Sequence, residues 1–183
     1  MSRIQPIQLE QADEKAKAQL ESVEKKLGMV PNMLKTLAHS PAALAFFLRS
    51  GETLSKGSLS AKLREQISLA VAQINGCNYC LAAHSGIGKS LGLSDESILD
   101  TRRGHSPDTQ TRVILEFTQK LVTSHGHVSD QDFEHLRQAS VSGAEITDIV
   151  ANVATSIFAN YFNIAAQIEV DFPAAADLES SAA

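Results

Sequence analysis

The reading starts from Glu65-Gln-Ile-Ser-Leu-Ala-Val-Ala-Gln-Ile-Asn-Gly-Cys77-Asn-Tyr-Cys80-Leu-Ala-Ala-His84. Both cysteines of the chain lie in this stretch, with a histidine four residues after the second and a glutamate twelve before the first. From Leu63, apolar side chains recur at Ile67, Ala70, Val71 and Ile74, the spacing of one helix face. Glu65 lies on a second stripe with Ala61, Leu69 and Ala72, so the helix is apolar on two sides and is expected to be buried. A carboxylate on such a stripe is partly desolvated, a cost that a hydrogen bond relieves. Asn75 and Gly76 tolerate the left-handed backbone of a helix stop, and a second helix is expected from about Cys77 to Leu91, closed by Gly92. The cysteine pair then falls in its first turn.

That position favours a thiolate, because the first turn offers unpaired N–H groups and the positive end of the helix dipole. Cys77 and Cys80 are close enough for a disulfide across one turn, and His84 follows Cys80 at i+4, one turn along the same face. A thiol beside a base that a carboxylate orients is the general pattern of an activated cysteine, and Glu65 is the available carboxylate. Taken alone, a Cys-x-x-Cys also fits two core thiols or half of a zinc site. A structural zinc site needs four ligands, and the chain has no second cysteine pair; no metal is expected. A thioredoxin-like motif would follow a strand, and none is readable here. His125 and His127 are read as cations at a helix end, and His39, His105 and His135 as surface residues.

The pattern Glu, eleven residues, Cys-x-x-Cys, three residues, His resembles the AhpD-like alkylhydroperoxidases of the carboxymuconolactone decarboxylase superfamily, and within them the small peroxidase-related branch. The likeness extends outward from about Val30-Pro31-Asn32 to Asn160-Tyr-Phe-Asn163 and Asp171. The resemblance implies an all-α fold of about seven to nine helices and reduction of hydrogen peroxide or organic hydroperoxides. It implies Cys80 as the attacking thiol, Cys77 as the resolving one, His84 as proton relay and Glu65 as base. No bound cofactor is implied, but an external dithiol reductant of lipoyl or thioredoxin type is. The best-studied peroxidases of the family carry a histidine immediately before the second cysteine; this chain has Tyr79 there, a candidate auxiliary that also reads as a packing ring. The alternatives are a lactone decarboxylase, whose members generally lack the cysteine pair, and a non-catalytic redox-sensing oligomer.

A chain of 183 residues, 43% apolar, is enough for one core and reads as a single domain. The core is expected over about 30–173, with a surface helix near 11–27 and a small-residue, mobile tail at 174–183. A net charge of −5 argues against a nucleic-acid partner, and the longest fully apolar run, Ala42 to Leu48, is too short to span a bilayer. No basic segment followed by an apolar run occurs before Gln19, so no signal peptide is expected. Two cysteines in one short motif leave none for structural cross-links, and the cytoplasm is the expected compartment.

The rest of the chain reads as helix after helix. Ser40-Pro41 opens a helix in which Leu44, Phe46, Phe47 and Leu48 are expected to enter the core. Ser94, Ser106-Pro107-Asp108 and Ser129 open further helices, and Ser142-Gly-Ala-Glu145 has capping-box spacing at the head of the longest apolar-periodic run, through Ile149 and Val153 to about Ile168. Two stripes on the Glu65 helix and this long apolar helix suggest more apolar surface than one copy hides, so a homodimer or a multiple of it is expected.

Overall fold

Capping side chains set most helix starts in the computed structural model, which describes residues 2–178. After a short 3-10 turn at Leu9–Gln11, Asp13 opens α1 (Glu14–Leu27) and Pro31 precedes α2 (Asn32–Leu37). Ser40 opens α3 (Pro41–Leu54), Ser60 opens α4 (Ala61–Asn75) and Cys77 opens α5 (Asn78–Ser90). Ser94 caps α6 (Asp95–Arg103) and Asp108 caps α7 (Thr109–Thr123), while Ser129 and Ser142 close reciprocal capping boxes on α8 (Asp130–Gln138) and α9 (Gly143–Ala166). No strand occurs among the described residues, and the fold is the expected all-α one.

α4 is the centre, packed against α5, α6, α7 and α9. Its two apolar stripes face two different clusters. Ile67 and Val71 join Leu59, Ile114, Phe117, Val122, Leu136, Ile149 and Val153. Leu69 and Ala72 join the other cluster, which gathers Leu20, Leu34, Leu44, Ala159 and both cysteines. α9 spans both: Ile149 and Val153 from its first half are buried in one cluster, Ala159 and Ala166 from its second half in the other. By length and composition this 24-residue helix could cross a bilayer, and here its buried face packs on α4.

The first helix, Glu14–Leu27, is mostly exposed, and Ala16, Leu20 and Val23 of its narrow apolar face are buried in the core. One expectation is corrected. In α3 only Leu44 is fully buried, Phe47 and Leu48 are partly so, and Phe46 is 53% exposed. Positions three and four residues on share a helix face with Leu44, whereas a residue two positions on points to the other side.

The segment after α9 returns across the beginning of the chain. Asp171 Oδ2 accepts the Asn32 N–H at the start of α2 at 2.7 Å, so two flanks singled out in the sequence meet. The Phe172 ring stands edge-on to Tyr79, with centroids 5.5 Å apart. Arg102, buried on α6, donates to Gln73 Oε1 and to the Ala176 carbonyl, and Arg103 donates to the Leu178 carbonyl. These bonds hold residues 174–178 of the expected tail; residues 179–183 lie outside the described part.

Candidate active site

Gly76, in the left-handed conformation at φ 67°, ends α4 and lets the N-cap of α5, Cys77, follow at the next residue. The resulting tight corner brings Glu65, near the start of α4, beside His84 on α5. His84 Nδ1 and Glu65 Oε2 are 2.6 Å apart, with side chains 25% and 17% exposed. Burial disfavours the imidazolium, but the Glu65 carboxylate outweighs it and holds the His84 pKa above its ordinary value. The hydrogen bond to Nδ1 leaves Nε2 as the ring nitrogen free to exchange protons.

Cys77 occupies the N-cap of α5, where a serine or aspartate commonly sits, and its Sγ accepts the Cys80 N–H at 3.3 Å. Both sulfurs are buried, Cys77 at 1% and Cys80 at 3% exposure, and both are free thiols. The hydrogen bond from the Cys80 thiol, helped by the backbone N–H and the Asn163 amide, favours the thiolate at Cys77; the same bond and burial push Cys80 far up. Of the two sulfurs, Cys77, at the helix N-terminus, is therefore the one whose thiolate is favoured.

Cys80 is nonetheless the sulfur that faces open space. With His84 it lines a mostly apolar cavity of about 310 Å³ whose walls include Met33, Phe47, Ile87, Asn163 and Phe172; Cys77 is not one of its wall residues. A second, more polar cavity of about 490 Å³ is lined by Glu65, Ser68, Arg64, Asn152 and Ser156. His84, Phe47 and Ala159 belong to both walls, so the imidazole stands between an apolar chamber on the Cys80 side and a polar one on the Glu65 side.

Tyr79 is also a wall residue of the apolar cavity. Its hydroxyl accepts the Met33 N–H at 3.2 Å, and burial, with the Asp171 carboxylate nearby, pushes its pKa well above the ordinary phenol value. A phenol so held stays protonated and ties α2 and the C-terminal segment to the cysteine turn.

The four motif residues thus come together around one corner. The sequence reading did not assign roles to two asparagines on α9. Asn163 Nδ2 donates to Cys80 Sγ and to Met33 Sδ, each at 3.2 Å. Asn160 Oδ1 accepts from Asn75 Nδ2 at 3.0 Å, while its own Nδ2 is buried without a hydrogen bond of normal geometry, as is Asn163 Oδ1. Among the described residues no cluster of His, Cys, Asp and Glu suited to a metal ion occurs.

The profile of the "Carboxymuconolactone decarboxylase family" matches residues 41–119, which include all four motif residues. A peroxidase-related protein from Ralstonia eutropha JMP134, described as an alkylhydroperoxidase AhpD core, is 25% identical, with a TM-score of 0.84 over 93% of this chain and 92% of that one. A second peroxidase-related protein, from Silicibacter sp. TM1040, is 28% identical, with a TM-score of 0.77 over 91% of each chain. The debrominase Bmp8, solved in complex with 2,3,4-tribromopyrrole, shares the fold at 20% identity and a TM-score of 0.78, over 92% of this chain and 91% of that one. The comparison with curated proteins found no match. The chain thus resembles the carboxymuconolactone decarboxylase family over residues 41–119 and AhpD-like, peroxidase-related proteins over nearly its whole length.

Proposed function

We propose that the protein is a thiol-dependent peroxidase that reduces hydroperoxides through a disulfide cycle. The observation that carries this reading is the placement of Cys80 and His84 on one wall of an apolar cavity, with Cys77 in hydrogen-bond contact behind the reacting sulfur. In the first step the Cys80 proton passes to Cys77 as Cys80 sulfur attacks the terminal oxygen of the hydroperoxide. The O–O bond breaks, an S–O bond forms, and the departing alkoxide takes a proton from the His84 imidazolium. The products are an alcohol and a Cys80 sulfenic acid, the sulfur oxidised by two electrons. In the second step Cys77 returns its proton to His84 and attacks Cys80 sulfur. Hydroxide leaves with that proton as water, and a disulfide remains. Glu65 keeps the imidazole oriented and charged for the first step. An external dithiol of lipoyl or thioredoxin type then reduces the disulfide, which suits a reducing, cytoplasmic setting.

Thiol titration tests the cycle. The native protein should have two reactive thiols, none after one equivalent of hydroperoxide, and two again after dithiothreitol. Cys77→Ser should accumulate a trappable sulfenic acid at Cys80; a sulfenic acid on Cys77 in Cys80→Ser, formed at least as fast, would reverse the roles. Peroxide consumed only once per chain in the presence of excess dithiol would favour a redox sensor instead. A second reading, attack of the same sulfur on a halogen, draws on the apolar cavity and the fold likeness to the debrominase. Debromination of tribromopyrrole with no hydroperoxide turnover would favour it.

Phe46 on α3 and Val150, Tyr161 and Ile164 on α9 are exposed, and α3 packs on α9. They form the apolar face on which we place the contact of a homodimer. Sedimentation at micromolar concentration should find the dimer or a multiple of it, and a monomer would count against this assembly.

A further inference from the structure

The cysteine pair poses a problem for the proposed cycle, because its surroundings favour the thiolate at Cys77 over that at Cys80, while the cavity opens onto Cys80. Something must stabilise negative charge on Cys80 at the moment its proton moves. The structure holds two buried amides beside that sulfur, and a third group orients each. Met33 Sδ, a thioether, can only accept a hydrogen bond, so it holds the Asn163 NH₂ edge toward itself and toward Cys80 Sγ, at 3.2 Å to each. Asn75 Nδ2 donates to Asn160 Oδ1 at 3.0 Å, which leaves the Asn160 NH₂ edge for the other side. That Nδ2 is an orphan donor on a residue only 1% exposed. A buried N–H without a partner is costly, and it is found where a site awaits a charge that the resting state lacks. The two amides differ in what they reach: Asn163 favours the charge on either sulfur, whereas Asn160 favours it on Cys80.

We propose that Asn160 and Asn163 form an amide cradle for negative charge on Cys80, making them catalytic residues that act on the sulfur itself. The inference rests on Cys80 as the nucleophile. Donors fixed in advance and aimed at developing charge need no reorganisation during the step, which is why such groups accelerate reactions in dry sites. The cradle draws charge from Cys77 to Cys80 as the proton crosses. Asn160 supplies the bias, since its donor is unused until Cys80 carries charge. The other titratable groups around Cys80 are Cys77 on the same turn, His84 with Glu65 across the corner, and Tyr79 with Asp171 from the C-terminal segment.

The test uses the full-length Cys77→Ser protein, in which Cys80 titrates without its partner, and reads the pH dependence of Cys80 alkylation by iodoacetamide. Asn160→Leu and Asn163→Leu should each raise the midpoint by about one pH unit, so that alkylation and sulfenic acid formation near pH 7 fall about tenfold and recover as pH rises. Loss of packing alone would lower the melting temperature and leave the midpoint in place. If a leucine variant does not fold, Asn75→Ala provides the reading: it does not touch the sulfur but frees the Asn160 amide to turn, and should move the midpoint by a smaller amount in the same direction. Unmoved midpoints, with the wild-type protein turning over hydroperoxide, overturn the cradle. Shifted midpoints in a protein that consumes no hydroperoxide uphold the cradle and overturn the proposed function.

Discussion

The two clusters on either side of α4 are built from similar aliphatic residues and differ in what interrupts them. The one around Ile67, Ile114, Leu136, Ile149 and Val153 is aliphatic and aromatic, with the buried Thr118 on the same face of α7 as Ile114 and Val122. The one around Leu20, Leu34, Leu44 and Leu69 takes in Cys77, Tyr79 and Cys80, adjoins the buried amides of Asn160 and Asn163, and opens into the cavity. α9 contributes to both, so one helix carries a packing half and a chemical half. Buried polar groups and voids cost stability, and the continuous apolar cluster offsets that cost next door. The division predicts that substitutions in one cluster change activity per folded molecule and in the other change how much molecule is folded.

Cys80→Ser is the sharpest break on the chemical side: hydroperoxide turnover should fall at least about a thousandfold, with the melting temperature close to that of the parent. Equal loss of turnover and melting temperature would show the two regions to be one cooperative unit for both properties. On the packing side, Ile149→Ala removes a fully buried side chain and should lower unfolding stability by about 2–5 kcal/mol in urea titration, while the turnover of the remaining folded protein stays unchanged.

Glu65→Gln should come next, lowering turnover near pH 7 by about a hundredfold, with partial recovery as pH falls and the His84 imidazolium returns. The same variant has a stability signature. Because the folded His84 pKa lies above its unfolded value, the pair's contribution is fully present below about pH 6.5 and is lost as pH rises through the folded pKa. The melting temperatures of parent and Glu65→Gln should therefore differ most at about pH 5–6 and converge toward pH 9; a constant gap would sever the ion pair from the effect. The smallest change is expected from Ser142→Ala, which opens the capping box of α9 at its packing end. It should cost about 1 kcal/mol in urea titration and leave turnover unaltered.

What could be read in advance followed sequence distance. Glu65 and His84 are nineteen residues apart, joined by two helices and a glycine corner that are each locally encoded, so their meeting was foreseeable. The two stripes of α4 likewise announced two packing surfaces. The depth of α1 was not legible, because three buried positions on an otherwise charged helix gain their importance only from what covers them. Nor was the difference between the two thiols, which depends on their mutual hydrogen bond and an amide from a distant helix. Asn163 is eighty-three positions from Cys80, a pairing that no local pattern encodes. A signal was nevertheless present: Asn152, Ser156, Asn160 and Asn163 recur at helical spacing, all buried, along a helix whose other positions are mostly apolar. A polar stripe facing inward must be answered by partners, and here they are Ser68, Asn75 and Cys80.

The return of the chain's end over its beginning bears on how far the active unit can be trimmed or transplanted. An excised fragment running from Pro41 to Gln119 would carry Glu65, Cys77, Cys80 and His84 together, yet it would leave behind Met33, Asn160, Asn163 and Phe172, and with them much of the chamber wall and every amide at the reacting sulfur. Such a fragment would own the motif without its surroundings. The portable part of this protein is accordingly much longer than its signature, and a graft of the cysteine corner onto another helical scaffold would need to rebuild four distant side chains before the thiols could be expected to do the same work.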